Sequence, residues 1–259
     1  MSDRVDRFPV PVDGTVPTGK TNTYLVHGDE PVLVDPAGRT PALDTAIADT
    51  PPAHIVLTHT HPDHLGGVVA YGMQTDAAIW ALHGAENALA AAIDLYPGST
   101  FRDGDRIGPL TAITTPGHAP DHVAYELEEE QTAIFCGDLA IEPGSVFVGG
   151  QGADMAVYLR SLRLLADRDP DVLYPGHGEP ITDPAGTIER LIRHRLDRER
   201  RIYEAVADGA RDPDAIVEAA YDTDLAGVRD LARLSTIAHL EKLAAEGQLA
   251  WDGSIATML

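Results

Sequence analysis

Four side chains that can bind a metal ion fall within six consecutive positions of this sequence. They are His59, His61, Asp63 and His64, and they follow an apolar run at residues 55–57. If that run is a strand, a tight loop after it lets the first two side chains point together while the other two fold back toward them. Imidazole and carboxylate groups are ligands suited to zinc. The spacing therefore favours a metal site over a chance cluster of solvated loop residues.

Three further candidate ligands each follow an apolar run and stand next to glycine. They are His118 in a Pro-Gly-His sequence, Asp138 in a Cys-Gly-Asp sequence and His177 in a Pro-Gly-His-Gly sequence. Glycine lets the backbone turn, so that the next side chain can project into a shared cleft. Each of the three, taken alone, is more often a turn residue. Together with the first four they form a set of seven.

The order of these motifs resembles that of the metallo-β-lactamase-fold superfamily, over residues 20–182. The resemblance implies an αββα sandwich with a metal site at one edge of two facing sheets. It also distributes the seven side chains over two metal ions: His59, His61 and His118 on the first, Asp63, His64 and His177 on the second, and Asp138 as the carboxylate between them.

The same resemblance implies a metal-dependent hydrolase, with two zinc ions per chain or with iron or manganese in their place. Two ions about 3.5 to 4 Å apart can share a hydroxide, because bound water has a pKa of roughly 7. Asp63 is then expected to be catalytic as well as a ligand, since it can orient that water or accept its proton.

Two further residues are candidates for holding the ligand side chains in place without binding a metal themselves. Asp35 resembles an acidic position near the site in the superfamily and could fix the tautomer of a ligating imidazole, or it could simply cap a strand end. His122, four residues after His118, could lie behind the ligands or could be a partly buried strand residue. Cys136 is expected to pack in the core as a small hydrophobe.

Short β-rich runs and alanine-rich stretches alternate along most of the chain, which predicts a mixed α/β fold. The predicted strands cover residues 22–27, 31–35, 54–58, 77–82, 110–115, 122–127, 132–136 and 172–174. The predicted helices of this part cover residues 41–48, 84–93 and 154–166.

The pattern becomes helical after about residue 182. We predict a metallohydrolase domain over residues 1–184 and a winged-helix-like helical domain over residues 185–259. The second domain is expected to hold helices at 187–207, 215–221 and 228–246, and then strands at 248–251 and 254–258. An Asp252-Gly253 pair between those strands is typical of a two-residue hairpin turn.

Residues 154–166, the Pro-Gly-His-Gly motif at 175–178 and the run at 192–195 that leads into the winged-helix-like end are similar to the β-lactamase-like protein 2 subgroup. This likeness covers nearly the whole chain, and it implies metal-dependent cleavage of phosphodiester bonds in single-stranded RNA. Six arginines between residues 190 and 201 could contact phosphates. The pairs Glu189–Arg193, Arg195–Glu199, Asp197–Arg201 and Arg200–Glu204 have i, i+4 spacing, so a self-paired helix explains the arginines equally well.

Other functions stay open at this point. The seven-ligand set also fits a thioesterase similar to glyoxalase II, or an iron-dependent persulfide dioxygenase that uses His59, His118 and Asp138. A winged-helix regulator that binds nucleic acid is a non-enzymatic alternative. The substrate is thus expected to be a small molecule or single-stranded RNA, and the sequence gives no oligomeric state.

Composition narrows the classes of protein. A single cysteine excludes an internal disulfide. The first ten residues lack the apolar core of a signal peptide, and no segment reaches 18 apolar residues, so we expect a cytoplasmic protein that does not cross a membrane. The net charge of -22 disfavours a basic nucleic-acid clamp.

The charge also predicts adaptation to high salt. The 41 acidic side chains repel one another against only 19 Lys and Arg, and at 1 M salt the Debye length falls to roughly 3 Å, which removes most of this repulsion. We therefore expect the protein to unfold in dilute buffer and to refold in molar KCl, as followed by circular dichroism. Equal melting temperatures in the two solutions would mark an ordinary acidic protein.

Overall fold

Two sheets form the centre of the molecule. The computed structural model describes residues 3–14, 16–129 and 131–259. The strands of the first sheet are, in order, β1 (Val5–Pro11), β2 (Lys20–Val26), β3 (Val32–Val34), β4 (His54–Val56), β5 (Ala78–Leu82) and β6 (Ser99–Phe101). Those of the second are, in spatial order, β11 (Val172–Pro175), β10 (Ala133–Gly137), β9 (Val123–Leu127), β8 (Leu110–Thr114) and β7 (Arg106–Ile107).

The strand directions bring several carboxyl ends to one edge. The pairs β3–β4, β4–β5, β5–β6 and β10–β11 are parallel, and the remaining pairs are antiparallel. The segments after β4, β8, β10 and β11 carry the seven candidate ligands.

The sheets pack on each other through apolar side chains that alternate along the strands. Tyr24 of β2 meets Phe135 of β10 edge to face, with 5.2 Å between ring centroids. Val34 of the first sheet and Tyr125 of the second belong to the same buried cluster. Because side chains alternate across a strand, the neighbouring residues Leu25 and Leu33 point to the opposite face.

Helices cover both outer faces. The first sheet packs against α1 (Pro41–Asp49), α2 (Val68–Thr75) and α3 (Glu86–Ile93). The second packs against α4 (Met155–Ala166) and the first part of α5 (Pro184–Ala207). The layers are therefore helix, sheet, sheet, helix, and the αββα sandwich that the sequence resemblance implies is confirmed. Cys136 is fully buried between β10 and its covering helices, as expected.

The C-terminal part consists of α5, α6 (Pro213–Ala220), α7 (Arg229–Ala245) and the hairpin of β12 (Leu249–Trp251) and β13 (Ala256–Met258). Its own apolar cluster includes Ile202, Ile216 and Leu240. Helix α5 contributes to two apolar clusters, because Ile188 near its start packs in the sandwich cluster and Ile202 packs in the C-terminal cluster.

The start of α5 differs from the sequence prediction. The helix begins at Pro184, three residues earlier than predicted, because the Asp183 carboxylate accepts a hydrogen bond from the Gly186 N–H. An aspartate cap followed by proline at the first helical position is a strong start signal.

The predicted two-residue turn of the terminal hairpin is wrong. Trp251 pairs with Ala256, which leaves a four-residue loop at 252–255. The Asp252 carboxylate accepts hydrogen bonds from the N–H groups of Ser254 and Ile255. This local side-chain turn replaces the tight turn that Asp-Gly favours.

Two of the four predicted arginine pairs on α5 are also wrong. The pairs Glu189–Arg193 and Arg200–Glu204 are present. Arg195 instead donates to the carbonyl of Val146, and Arg201 reaches Asp222 beyond the helix. Long side chains on a packed helix find partners on other elements, which helical spacing cannot reveal.

Four elements were not predicted: β1, α2, β6 and β7. Strand β1 carries Pro9 and Pro11, which argue against a central strand, but it lies at the edge of its sheet, where proline is tolerated. Helix α2 begins after two glycines and contains Gly72 and two valines, so its helical propensity is weak. No described helix is long and apolar enough to cross a membrane.

Helix α4 offers a matched test of this packing. Leu162 is fully buried in the sandwich cluster, whereas Leu164, two residues later, is 38% exposed. We expect Leu162→Ala to lower the free energy of unfolding by about 2 to 5 kcal/mol, since it leaves a cavity. Leu164→Ala should change it by less than about 0.5 kcal/mol. Urea unfolding of both variants in molar salt measures the difference, and equal losses would contradict the assigned face of α4.

Candidate metal centre

All seven predicted ligands meet at one edge of the sandwich. His59 and His61 lie in the loop after β4, and a short 3-10 helix, Pro62–His64, folds Asp63 and His64 back toward them. The remaining three follow the other strand ends, with His118 after β8, Asp138 after β10 and His177 after β11.

Among the described residues, the candidate ligand atoms form three overlapping groups in which all atoms lie within 4.8 Å of one another. The groups are His59, His61 and His118; His59, His64 and Asp138; and Asp63, His64 and His177. The first and third coincide with the two sets that the sequence resemblance implies. Asp138 lies between them, with Oδ2 3.6 Å from His118 Nε2 and 3.4 Å from His177 Nε2.

Hydrogen bonds on the outer side of four rings fix which nitrogen faces the centre. His118 Nδ1 lies 2.9 Å from the Phe147 carbonyl, and His177 Nδ1 lies 2.8 Å from the Lys20 carbonyl. A carbonyl oxygen only accepts, so each Nδ1 must carry the proton and each Nε2 can offer a lone pair inward.

Asp35 orients the other two of these rings. Its carboxylate accepts from His64 Nδ1 at 2.9 Å and from the backbone N–H and the hydroxyl of Thr58, both at 2.7 Å. Because the Thr58 hydroxyl donates to Asp35, it must accept from His59 Nδ1, 3.1 Å away. Asp35 thus contacts a ligand ring directly, and it does so from a left-handed backbone conformation at the end of β3.

His122 lies behind the cluster and contacts Asp138. Its Nδ1 is 2.9 Å from the Thr115 hydroxyl, and its Nε2 accepts the backbone N–H of Asp138 at 3.2 Å. Burial lowers the pKa of His122 to about 3, so the ring is neutral and free to accept. His122 therefore fixes the backbone that carries Asp138.

Three buried atoms of the cluster have no hydrogen-bond partner in the described structure: His59 Nε2, His64 Nε2 and Asp138 Oδ1. Unpaired polar atoms in a buried place are costly, and native structures contain few of them. All three point toward the shared centre and are of the types that bind zinc or iron. The donor set therefore fits metal ions.

The electrostatics favour a cation at the same place. Burial works to raise the pKa of Asp63 and Asp138, but hydrogen bonds with His177 and nearby imidazole charges hold both below the usual value. Burial lowers the pKa of His59 and His61. Against its burial, hydrogen bonds with the two carboxylates raise the pKa of His177 to about 10. The ionised carboxylates and the neutral rings of His59 and His61 thus suit a cation, which would displace the proton that the carboxylates hold on His177.

Glycine is required where the strands bring the backbone closest to the ligands. A Cβ at Gly176 would lie 2.5 Å from Asp138 Oδ1 and 2.9 Å from His64 Cε1. Gly137 has φ of +48°, and a Cβ there would lie 2.6 Å from the Thr58 side chain. Both glycines stand in the motifs from which the site was predicted.

Sequence reasoning missed several supporting residues. Thr21 donates to Asp63 Oδ2 at 3.2 Å, and the Asn22 amide donates to the carbonyls of Pro175 and Gly178, which steadies the loop around His177. Thr58, which links Asp35 to His59, was also missed. The run of buried polar residues at 21–23 at the start of an apolar strand is the signal that could have revealed the first two.

The centre opens into a cavity of about 150 Å³. Five of the seven candidate ligands line it, all except His59 and His64. The remaining lining side chains are apolar: Val16, Pro17, Ala140, Ile141, Val146 and Phe147. The cavity thus has an apolar mouth above the charged candidate ligands.

Comparison with known proteins agrees with the fold. A family model described as the metallo-beta-lactamase superfamily matches residues 16–177. The chain is 35% identical over 214 residues to the thioesterase pkgB of Emericella nidulans, covering 80% of this chain and 60% of that protein. It is 33% identical to an atrochrysone carboxyl ACP thioesterase of Aspergillus chevalieri, covering 73% and 61%. This chain thus spans about three fifths of the length of these two relatives.

Other relatives match over more of their length. A beta-lactamase-like protein 2 homolog of Caenorhabditis elegans is 30% identical, covering 80% of this chain and 72% of that protein. The crystal structure of a metallo-beta-lactamase family protein from Thermus thermophilus superposes with a TM-score of 0.79 at 26% identity, covering 99% of both chains. TTHA1623, solved in a di-iron-bound form, gives a TM-score of 0.57 at 31% identity and covers 71% of this chain and 98% of its own.

Asp35 gives a test of the site that does not depend on activity. Asp35→Asn keeps the shape but removes the charge that holds His64 and Thr58, and loss of such an outer partner typically weakens metal binding by about 10- to 100-fold. Competition with a chromophoric zinc chelator measures the affinity. Asp29→Asn, at an exposed loop position, is the matched control and should bind as the unaltered protein does. Equal affinity in the two variants would show that Asp35 acts elsewhere.

Proposed function

The chain belongs to the metallo-β-lactamase superfamily, and from that premise we propose that it is a metal-dependent hydrolase whose substrates are thioesters. The observation that carries the proposal is the set of buried, unpartnered nitrogen and oxygen atoms that converge on one centre. Two relatives that are 35% and 33% identical to it over the aligned residues are named thioesterases, which favours this substrate class over the others.

Two ions would be held by the seven side chains. His59, His61 and His118 would hold one, Asp63, His64 and His177 the other, and Asp138 would bridge them. Zinc fits the mixed imidazole and carboxylate set, and iron or manganese are the alternatives. Bound metals supply Lewis acidity, which activates water and polarises the carbonyl of an ester.

Asp63 is the residue to which we assign proton transfer. It lines the cavity with 16% of its side chain exposed, so a water molecule beside the substrate can reach it. Thr21 donates to its Oδ2, and His177 Nε2 lies 3.4 Å from the same oxygen. These contacts keep the carboxylate ionised and oriented, as a proton acceptor requires.

The pairing of the arginines on α5 favours a small-molecule substrate over RNA. Arg193, Arg200 and Arg201 on α5 are paired with carboxylates. Arg190, Arg195 and Arg198 donate instead to backbone carbonyls. A long polyanion needs a row of outward-facing cations, and with a net charge of -22 this protein would repel it.

We also propose a domain division and a salt environment for this chain. We take residues 1–184 as the hydrolase domain and residues 185–259 as a winged-helix-like domain, supported by the separate apolar cluster of the three C-terminal helices and the hairpin. A cytoplasm of high salt is the environment that the charge favours.

A substrate panel tests the proposed function. The purified protein is first analysed for metals and then given an acyl thioester, single-stranded RNA, a generic phosphodiester and a β-lactam in molar salt. We expect two zinc ions per chain and turnover of the thioester. If the protein cleaves RNA but not the thioester, the proposed substrate class is wrong. If it contains iron and consumes oxygen when given a persulfide, the reaction is dioxygenation rather than hydrolysis.

The role of Asp63 is tested in the same assay. Asp63→Asn should lower kcat by roughly 10²- to 10⁴-fold, since it removes the proton acceptor. Metal content is measured in parallel so that a lost ion is not mistaken for a lost base. Asp49→Asn, on the exposed face of α1, is the control. Unchanged kcat in Asp63→Asn would assign proton transfer to another group.

A further inference from the structure

A second cavity lies on the other side of the loop that borders the metal centre. Its volume is about 320 Å³, and α5, α7 and the segment between α6 and α7 form its walls. Val146 and Phe147 line both this cavity and the one above the candidate ligands. The Phe147 carbonyl also accepts the hydrogen bond from His118. The two cavities are thus separated by a single stretch of chain.

The charge of this cavity is opposite to that of the protein. Arg195 and Arg198 line it, and none of its described lining residues is Asp or Glu, although the chain carries a net charge of -22. His194 also lines it but is neutral, because burial and the neighbouring arginines lower its pKa to about 4. The two arginines donate to neutral carbonyls, those of Val146 and Ala220. Their positive charges are therefore not cancelled by a bonded carboxylate, and the cavity attracts anions.

Two buried polar groups of the lining also lack partners. Arg195 is 5% exposed and its Nε has no hydrogen-bond partner, and Ser235 is 6% exposed with an unpartnered hydroxyl. Both residues line the cavity. A guanidinium N–H and a hydroxyl are donors that suit the oxygens of a carboxylate or phosphate. The wall of the cavity thus contains donor atoms that have no partner in the described structure.

The rest of the lining is apolar. Its apolar lining residues include Leu225, Val228 and Leu231 together with Val146 and Phe147. The volume falls in the range of small-molecule sites. A bare inorganic ion would leave most of this apolar wall uncovered, so the fitting ligand is an anion attached to an apolar body.

We propose that this cavity binds the anionic end of the substrate, a carboxylate or phosphate joined to an apolar body, while the thioester of the same molecule lies over the metal centre. This inference rests on the proposed thioesterase function. The anion would lie on either the acyl side or the thiol side of the thioester. In both cases the Ser145–Phe147 stretch is the rim over which the substrate passes from one cavity to the other.

Three thioesters test the proposal. S-benzoyl pantetheine is neutral, S-benzoyl 4′-phosphopantetheine adds a phosphate on the thiol side, and S-(4-carboxybenzoyl) pantetheine adds a carboxylate on the acyl side. We expect a larger kcat/KM for one charged thioester than for the neutral one, and the preferred compound identifies the side. In Arg198→Gln the ratio of charged to neutral kcat/KM should fall roughly tenfold or more, as expected for loss of a charged hydrogen bond.

A second variant covers the case in which Arg198→Gln fails to fold, since Arg198 also packs on the Tyr221 ring. Thr223 lines the cavity and is exposed, so Thr223→Glu adds a negative charge without disturbing the core and should lower the same ratio. Arg193→Gln and Thr257→Glu make the same charge changes outside both cavities and should keep the ratio. Equal ratios in all four variants overturn the inference.

Direct binding separates this inference from the proposed function. Isothermal titration with 4′-phosphopantetheine and with 4-carboxybenzoate compares Arg198→Gln with Arg193→Gln, which share the same metal centre. If Arg198→Gln binds the anions more weakly and Arg193→Gln does not, the anion cavity is supported, whether or not a thioester is turned over. If no thioester is turned over, the thioesterase function is refuted and the anion cavity is not. Turnover of the neutral thioester with no binding difference leaves the thioesterase and refutes the cavity.

Discussion

Hydrogen bonds from the surrounding protein to the outer nitrogens of the candidate ligand rings give the metal centre its geometry. Five imidazoles and two carboxylates stand so close together that none could keep its direction by packing alone. The Asp35 carboxylate and the carbonyls of Lys20 and Phe147 each hold one ring nitrogen, which directs the other nitrogen of the ring toward the centre. Asp35 and Lys20 lie in or directly after strands of the first sheet and Phe147 lies in the loop after β10, whereas His118 and His177 follow strands of the second sheet, so the sandwich must be complete before the site exists.

The fold provides this convergence through its strand ends. Parallel pairing of β3 with β4 and of β10 with β11 places their carboxyl ends at one edge, and two glycines let the chains approach. A Cβ at Gly176 would lie 2.5 Å from Asp138 Oδ1, and a Cβ at Gly137, where φ is positive, would lie 2.6 Å from the Thr58 side chain. Substituting either would push two ligand-bearing segments apart. The apolar contact between Tyr24 and Phe135 keeps the sheets at the spacing that these turns require.

Much of this was predictable, because ligand motifs, alternating strands and helix caps are local patterns. His59, His118 and His177 could be selected from sequence, as could most strands and the start of α4. Partners that are backbone carbonyls leave no trace in residue type, so the roles of Lys20 and Phe147 could not be found. Arg195 resembled half of a helical ion pair, but it bonds a loop carbonyl, since tertiary distance rather than sequence spacing decides where a long side chain ends.

The arrangement of charge links the site to the protein's surface. Exposed carboxylates repel an anionic substrate over a Debye length, which shrinks to roughly 3 Å in molar salt. Interactions inside a cavity are screened much less, because water and ions are largely excluded there. Arg195 and the unpartnered Ser235 hydroxyl are both buried, so their attraction for an oxyanion persists where the surface repulsion has vanished. High salt would thus improve access without removing selectivity, and an acidic surface is compatible with an anionic small-molecule substrate.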